Sequence, residues 1–185
     1  IKKNDVKNID LILITHEHAD HLHSDSLQAI LANNPNAKVV ANTGVAKVLN
    51  ELGVNHEVLE GTDSGEKAGV ALEAYDGKHA EIFEEYGQVQ NTGYFIENKL
   101  FYPGDAYTEP NKEVEVLALP VAGPWCKAAD AIAYALKVKP LKAFPVHDWL
   151  LNDDGIALTH SLFETQLKVN DIEFVRLKND EAKEF

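Results

Sequence analysis

Short apolar runs alternate with polar segments along the first third of the chain, and their spacing predicts alternating strands and helices. The run IDLILI at residues 9–14 predicts a strand, and KVVA at 38–41 predicts a second, buried strand. Apolar residues at helical spacing predict a helix over 25–33. A further helix is predicted over 43–53, with Thr43 as its N-cap, because threonine is a favoured capping residue.

The rest of the chain continues this pattern after a run of strands. Residues 56–103 carry β-branched and aromatic residues between turn signals, which predicts a strand meander. The last third alternates again, with strands predicted at 114–120, 141–146 and 172–177 and helices at 126–138 and 161–169. A capping box of Ser161 and Glu164 is expected to open the last helix. The sequence thus predicts the α/β (α+β) class, with mixed sheets covered by helices on their outer faces.

Length, charge and cysteine content narrow the possible functions. A chain of 185 residues suits one domain, which we assign to residues 1–185. No apolar run is long enough to span a membrane. The net charge of −13 argues against nucleic acid as a partner, because phosphate contacts come mainly from Lys and Arg. We therefore expect a small-molecule substrate, and formation of a homo-oligomer stays open.

Two further compositional features concern the compartment and the chain terminus. Cys126 is the only cysteine, which excludes an internal disulfide and every cysteine-based zinc motif. A single cysteine suits a reducing compartment, so we expect a cytoplasmic protein. The sequence contains no methionine, not even at position 1, and we expect the natural N-terminus to be missing from it.

The most informative segment follows the first predicted strand. Four of the eight histidines lie between positions 16 and 23. His16, His18, Asp20 and His21 come after a strand and before a helix, where α/β sheets place their ligands. A metal accounts for this cluster, because metals need several donor atoms converging from a rigid support. The alternative is a solvated polar loop.

Three more donors follow later predicted strands, namely His79, Asp105 and His147. For His79 the alternative is an exposed loop histidine, for Asp105 it is a turn residue, and His160 competes with His147 as the late ligand. Imidazole and carboxylate suit zinc, with iron or manganese also possible. Seven donors are too many for one tetrahedral ion, but they suit two ions that share a bridging carboxylate.

The segment HEHADH has the form H-x-H-x-D-H, and it resembles the signature of the metallo-β-lactamase-fold superfamily. His79, the pair Gly104–Asp105 and the segment PVHD with His147 follow in the order of that family. NTGYFIENKLFYPGDAY with LALPVAG most resembles the branch of small metal-dependent hydrolases that includes the L-ascorbate-6-phosphate lactonase. The resemblance covers residues 9–150 and implies a four-layer αββα sandwich with a dinuclear site at one edge.

The resemblance also implies roles for individual residues. It implies two divalent metal ions, most favourably Zn²⁺, with Mn²⁺ or Fe²⁺ as alternatives. One ion is assigned to His16, His18 and His79. The second ion is assigned to Asp20, His21 and His147, with Asp105 as the bridge. Asp20 and Asp105 are also taken as catalytic residues, and a hydroxide between the metals is the expected nucleophile towards an ester, lactone or phosphoester of a small substrate.

Other functions and departures from the family pattern stay open. A phosphodiesterase or nuclease on the same fold would need a basic groove. Replacement of the metal-ligating residues would favour a non-enzymatic scaffold. Members of the family normally carry a strand pair before the motif, so N-terminal strands are expected to be missing here. Tyr107 and Trp125 lie in loops after strands and could line the pocket, although loop aromatics more often serve packing.

Overall fold

The computed structural model describes residues 6–177 and 183–185. In chain order the elements are β1 (Leu11–Ile14), α1 (Ser24–Asn33), β2 (Lys38–Ala41), α2 (Thr43–Glu51), β3 (Glu57–Val58), β4 (Ser64–Lys67), β5 (Val70–Lys78), β6 (Gln90–Ile96), β7 (Leu100–Tyr102), β8 (Val116–Pro120), α3 (Ala128–Val138), β9 (Lys142–Val146), α4 (Asp153–Lys168) and β10 (Glu173–Phe174). Within these residues, none of the helices is both long and apolar enough to cross a membrane.

The strands form two sheets. The smaller sheet has the order β1-β2-β3 and is parallel throughout. The larger sheet has the order β10-β9-β8-β7-β6-β5-β4. Its β4 to β7 part is antiparallel, which confirms the predicted meander, and its β7 to β10 part is parallel. Parallel strands need crossover connections, and α3 supplies the one from β8 to β9 and α4 the one from β9 to β10.

Three apolar clusters show how the layers are stacked. Val39 of β2 packs with α1 and α2, whereas its neighbour Val40 packs against β5 and β6 of the other sheet. Successive strand residues point to opposite faces, so β2 is covered on both sides. On the far side of the large sheet, Phe101 packs with Tyr134 of α3 and Phe163 of α4. The layers are therefore α, β, β and α, as expected from the sequence.

A small polar contact joins the two sheets beside this apolar interface. The side-chain amide of Asn42 donates to the carbonyl of Thr15 over 2.8 Å and to the hydroxyl of Thr92 over 3.1 Å. The N–H of Thr92 donates to the same Thr15 carbonyl over 2.9 Å. All three residues are buried, so these bonds satisfy groups that water cannot reach.

Asn42 also corrects the predicted start of α2. The N-cap is Asn42, whose Oδ1 accepts from the N–H of Val45 over 2.9 Å, and not Thr43. Thr43 is already helical, and its hydroxyl donates to Glu60 instead. Asparagine suits this position because its amide oxygen accepts a hydrogen bond from the first turn of α2, while its amide nitrogen donates to the carbonyl of Thr15 after β1.

The predicted start of the last helix is also wrong. α4 begins at Asp153, eight residues before the expected Ser161, and Asn152 caps it by accepting from the N–H of Gly155 over 2.8 Å. Asp153 and Asp154 stand in the first turn, where the helix dipole favours negative charge. The predicted strand over 172–177 is likewise shorter, since β10 has only two residues.

Candidate metal centre

Four strand ends meet at one edge of the sandwich. In the large sheet β5, β7 and β9 run in the same direction, because β5 and β7 both pair antiparallel with β6 and the strands from β7 to β9 are parallel. Each of these three strands leads into a predicted donor, which is His79, Asp105 or His147. β1 of the small sheet leads into His16. The site is thus built from both sheets.

The segment after β1 folds into a tight turn before α1 begins. The N–H groups of His21 and Leu22 both donate to the carbonyl of His18, over 2.9 and 2.7 Å. The turn folds the segment back on itself, so that several donor side chains from one short stretch of sequence lie close together at the edge of the sandwich. His23 takes a different role, because its ring caps α1 by accepting from the N–H of Ser26.

The structure brings all seven predicted donors together in two groups. Within each group the donor atoms lie within 4.8 Å of one another. The first group consists of His16, His18 and His79. The second group consists of Asp20, His21, Asp105 and His147. The first group is the set that the resemblance assigns to one ion, and the second is the set that it assigns to the other ion together with Asp105, the expected bridge.

Asp105 lies between the two groups. Its Oδ2 is 3.9 Å from Nε2 of His16 and 3.4 Å from Nε2 of His79, both in the first group. The same oxygen is 2.9 Å from Nε2 of His147 in the second group, and Oδ1 is 3.2 Å from Nε2 of His21. One carboxylate therefore faces ligand atoms of both sets, which is the geometry expected of a bridge.

The backbone around Asp105 is fixed by a buried asparagine. Gly104 has a φ of +67°, a region that favours glycine, and it makes the sharp turn after β7. Asn91 of β6 accepts from the N–H of Asp105 over 3.0 Å and donates to the carbonyl of Pro103 over 2.7 Å. Asn91 thus holds the backbone on both sides of Gly104.

Backbone or hydroxyl contacts orient three of the imidazoles. Nδ1 of His79 lies 2.6 Å from the carbonyl of Ala80, and Nδ1 of His147 lies 2.8 Å from the carbonyl of Ala122. Each Nδ1 must carry a proton to donate to a carbonyl, so in the neutral ring Nε2 is the atom that offers a lone pair towards the cluster. Nδ1 of His16 is similarly paired, with the Thr15 hydroxyl at 3.0 Å.

The cluster has unsatisfied buried atoms that a cation would satisfy. Among the described residues, Nε2 of His16 is buried without a hydrogen-bond partner, and Nε2 of His147 and Oδ1 of Asp105 make no hydrogen bond although each lies close to a polar atom of the cluster, at 2.9 and 3.2 Å. An unpartnered buried polar atom is costly, and native structures rarely keep several together. Neutral imidazole and carboxylate are also the donors that Zn²⁺ prefers. The residues present therefore fit a metal centre.

The protonation states suit the same interpretation. Burial, with the nearby His21 and other imidazoles, lowers the pKa of His16 to about 2, so this ring is neutral at pH 7. Burial alone would raise the pKa of Asp105, but the close imidazoles of His147, His21 and His79 hold it well below its usual range. For His147, burial is outweighed by Asp105, and its pKa rises to about 8. The cluster thus holds an ionised carboxylate among imidazoles.

His147 stands in an unusual backbone conformation, with a φ of +64°. Such strain in a residue other than glycine persists only where the surroundings enforce it. The next residue, Asp148, accepts from Nε2 of His160 over 2.9 Å. His160 is buried in the middle of α4, so its predicted place at a helix start is wrong and it is not among the seven clustered donors.

Trp125 is a residue whose role the sequence did not reveal. It follows β8, and its indole N–H donates to Oδ2 of Asp105 over 3.1 Å while its side chain is buried. Tyr107 packs edge-on against it, with ring centroids 5.6 Å apart. The one available signal was its position after a strand that ends at the same edge as the ligand-bearing strands.

An open groove lies along the segment that follows His79. Its volume is about 810 Å³, and its lining includes Lys78 and three carboxylates, from Glu81, Glu84 and Glu85. The side-chain amide of Gln88, which also lines the groove, donates to the carbonyl of His79 over 3.0 Å. The groove therefore adjoins the segment that begins at His79, although none of the seven donors is among its lining residues.

Known proteins resemble the chain in sequence. Protein Rv0786c of Mycobacterium tuberculosis is 32% identical over 155 residues, which is 81% of this chain and 72% of that protein. The UPF0173 metal-dependent hydrolase PH1671 of Pyrococcus horikoshii is 28% identical over 160 residues, covering 79% of this chain and 69% of the relative.

A solved structure and a family model complete the comparison. The structure of Igni18, described as a metallo hydrolase from Ignicoccus hospitalis, superposes with a TM-score of 0.70 at 18% identity and covers 93% of this chain and 77% of that one, which is a likeness of fold. The sequence model described as the beta-lactamase superfamily domain matches residues 2–147. With H-x-H-x-D-H in place and the αββα layers observed, the chain belongs to the metallo-β-lactamase superfamily.

Proposed function

We propose that this metal-dependent hydrolase of the metallo-β-lactamase fold uses two divalent ions to hydrolyse a carboxylic ester or lactone of a small, uncharged substrate. His16, His18 and His79 would hold one ion, and Asp20, His21 and His147 would hold the other. The observation that carries this proposal is the position of Asp105, whose Oδ2 approaches imidazole nitrogens of both groups. Zn²⁺ is the favoured ion, because all the donors are imidazole or carboxylate.

The bound ions would supply Lewis acidity, which lowers the pKa of coordinated water towards about 7 and polarises a carbonyl. The chain's own side chains supply the rest. Asp105 stays ionised at neutral pH and places its charge between the two groups. Asp20 has a side chain that is 33% exposed, in contrast to the 3% of Asp105. Asp20 is therefore the carboxylate that can reach an incoming substrate and a solvent proton.

The charge of the loops around the site favours an uncharged substrate. The connections that follow β1, β5, β7, β8 and β9 at this edge are residues 15–23, 79–89, 103–115, 121–127 and 147–152. Lys112 and Lys127 are the only cationic side chains in them, whereas four of the five contain carboxylates. Lys112 is paired with Glu73, and Lys78 stands just before His79 in the lining of the groove. A phosphate remote from the metals would thus meet mainly negative charge, whereas phosphate recognition normally relies on cationic side chains.

The segment after His79 also offers apolar surface. Phe83 and Tyr86 are 68% and 73% exposed, and they pair across a tight turn of the same segment. Their rings belong to the same segment as the three glutamates that line the groove, and they suit the acyl or ring part of an ester or lactone. A phosphodiesterase or nuclease is less well supported, because these loops offer no basic groove. A scaffold without activity is disfavoured by the two complete donor groups.

Metal content per chain, measured by plasma emission spectroscopy, is the first test. The wild-type chain should carry about two equivalents of zinc, manganese or iron, and His18→Ala should carry clearly fewer. His56→Ala is the matched control, because His56 lies outside both groups and pairs with the carbonyl of Val54. A wild-type chain that stays empty after incubation with these metals would overturn the proposal.

Substrate class is tested with matched compounds on the loaded protein. We expect hydrolysis of uncharged lactones and of p-nitrophenyl acetate, and loss of that activity on addition of a chelator. A phosphorylated lactone and bis(p-nitrophenyl) phosphate should be hydrolysed far more slowly, because the loops around the donors carry few cationic side chains that could bind a phosphate. Faster hydrolysis of the phosphorylated compound would show instead that an anionic substrate, such as that of the lactonase branch, is preferred.

A further inference from the structure

Trp125 is held against the proposed metal centre by a single polar contact. It lies between β8 and α3, and only 6% of it is exposed. The indole N–H is the one polar group of this side chain, and it can only donate. It donates to Oδ2 of Asp105 over 3.1 Å. Oδ2 is the oxygen that approaches His16, His79 and His147.

The ring of Trp125 is also fixed by its neighbours. Its centroid lies 5.7 Å from that of His79, which belongs to the first group, and 5.7 Å from that of His147, which belongs to the second. Tyr107 also packs edge-on against the indole, with ring centroids 5.6 Å apart. The indole thus has little room to turn, so the direction of its N–H is set by packing.

This arrangement limits how the Asp105 carboxylate can turn. The backbone N–H of Asp105 is fixed by Asn91, but a carboxylate can still rotate about its last side-chain bond. A rigid donor to Oδ2 selects the orientation in which this oxygen faces both groups of imidazoles. The hydrogen bond also satisfies the buried indole N–H, so the indole of Trp125 and the carboxylate of Asp105 constrain each other.

We propose that Trp125 is a positioning residue of the metal centre, which orients the Asp105 carboxylate so that one oxygen serves both groups of ligands. The inference rests on the proposed function, because it requires that the two groups hold metal. Outer contacts of this kind commonly change metal affinity by about 10–100-fold when they are removed. Trp125 would act through Asp105 and need not touch the substrate.

The test compares Trp125→Phe with Trp149→Phe. Phenylalanine keeps an aromatic ring at position 125 but removes the N–H, and Trp149 is the only other tryptophan and is 65% exposed. Zinc affinity is measured by isothermal titration calorimetry, and the Co²⁺-substituted proteins are compared by visible absorption. We expect about 10–100-fold weaker binding and an altered Co²⁺ spectrum for Trp125→Phe alone. A purely structural tryptophan would lower the urea midpoint without changing the spectrum.

A second replacement covers the case in which Trp125→Phe does not fold. In a Trp149→Phe background, tryptophan is replaced biosynthetically by its benzothienyl analogue, which keeps the bicyclic shape and has sulfur in place of the N–H. Weaker zinc binding and an altered Co²⁺ spectrum again support the inference. Affinity and spectrum equal to those of the tryptophan-containing protein would overturn it. If wild type itself binds no metal, the proposed function fails first, so the two failures are distinguishable.

Discussion

Gly104→Ala tests how firmly the chain holds the residue next to Asp105. At this position a Cβ would lie closer than 3.0 Å to Oδ1 of Asn91 and 2.9 Å from Cβ of Thr15. Both neighbours are buried, at 0% and 2% exposure, so neither can move into solvent. The substitution also forces alanine into a φ of +67°.

The magnitude follows from three separate costs. The left-handed backbone costs an L-residue about 1–2 kcal/mol. Forcing a methyl group into a filled interior adds about 1–3 kcal/mol. Displacing Asn91 weakens its bonds to the N–H of Asp105 and the carbonyl of Pro103, at about 1 kcal/mol each. We expect a loss of about 4–7 kcal/mol, or a Tm lower by about 8–28 °C for a chain of this size.

Gly53→Ala is the matched control. Gly53 has a nearly identical φ of +66°, but a Cβ there would meet nothing within 4 Å. Its loss should be the backbone cost alone, about 1–2 kcal/mol. Urea unfolding of the two variants and wild type at 25 °C, in the presence of chelator, gives the difference directly. Equal losses in the two variants would refute the argument, since they would mean that Asn91 gives way without cost and does not clamp Asp105.

Three further predictions use other contacts. Asn42→Ala should destabilise the chain by about 2–3 kcal/mol in urea unfolding, because it removes a helix cap and the bond to the buried Thr15 carbonyl; a loss below about 1 kcal/mol would contradict this. Asp105→Asn should fold but retain less than half of the wild-type metal in emission spectroscopy, and full loading would argue against bridging. The N–H and hydroxyl of Thr43 lower the pKa of Glu60 below 4.5, so its stabilising effect is present above pH 4.5 and is lost as the pH falls through the lowered value. Glu60→Gln should therefore be less stable than wild type at pH 7, with the difference shrinking towards pH 3; a constant difference would exclude this linkage.

The parts of the fold that sequence could predict are those with local signals. β2 has the predicted bounds, because KVVA is an uninterrupted apolar run after a lysine. The order of strands and helices also follows from apolar spacing. The start of α4 could not be placed in this way, because Asn and Asp favour turns as well as helix caps. The helix over Asp153–Lys168 begins with such residues, and its apolar face becomes clear only in the second half.

The site residues also differ in whether a local sequence signal could predict them. His16, His18, Asp20 and His21 are neighbours in sequence, so their clustering could be recognised from the chain itself. His79, Asp105 and His147 come together through sheet order, and the sequence could suggest this only through a resemblance. For Trp125 the sequence offered only its position after β8, because its N–H donates to Asp105, which lies 20 positions away in sequence. Contacts of this kind depend on where β7 and β8 place their ends.

The bonds among Asn42, Thr15 and Thr92 affect how the two sheets meet. Apolar side chains alone would allow one sheet to slide over the other, because such contacts have little directional preference. Buried hydrogen bonds have a narrow range of distance and angle, so they select a single alignment of the sheets. That alignment brings the end of β1 opposite the ends of β5, β7 and β9 before any ion arrives. The polypeptide is thus preorganised for metal, and the free energy of ion binding is not needed to align the two sheets of the sandwich.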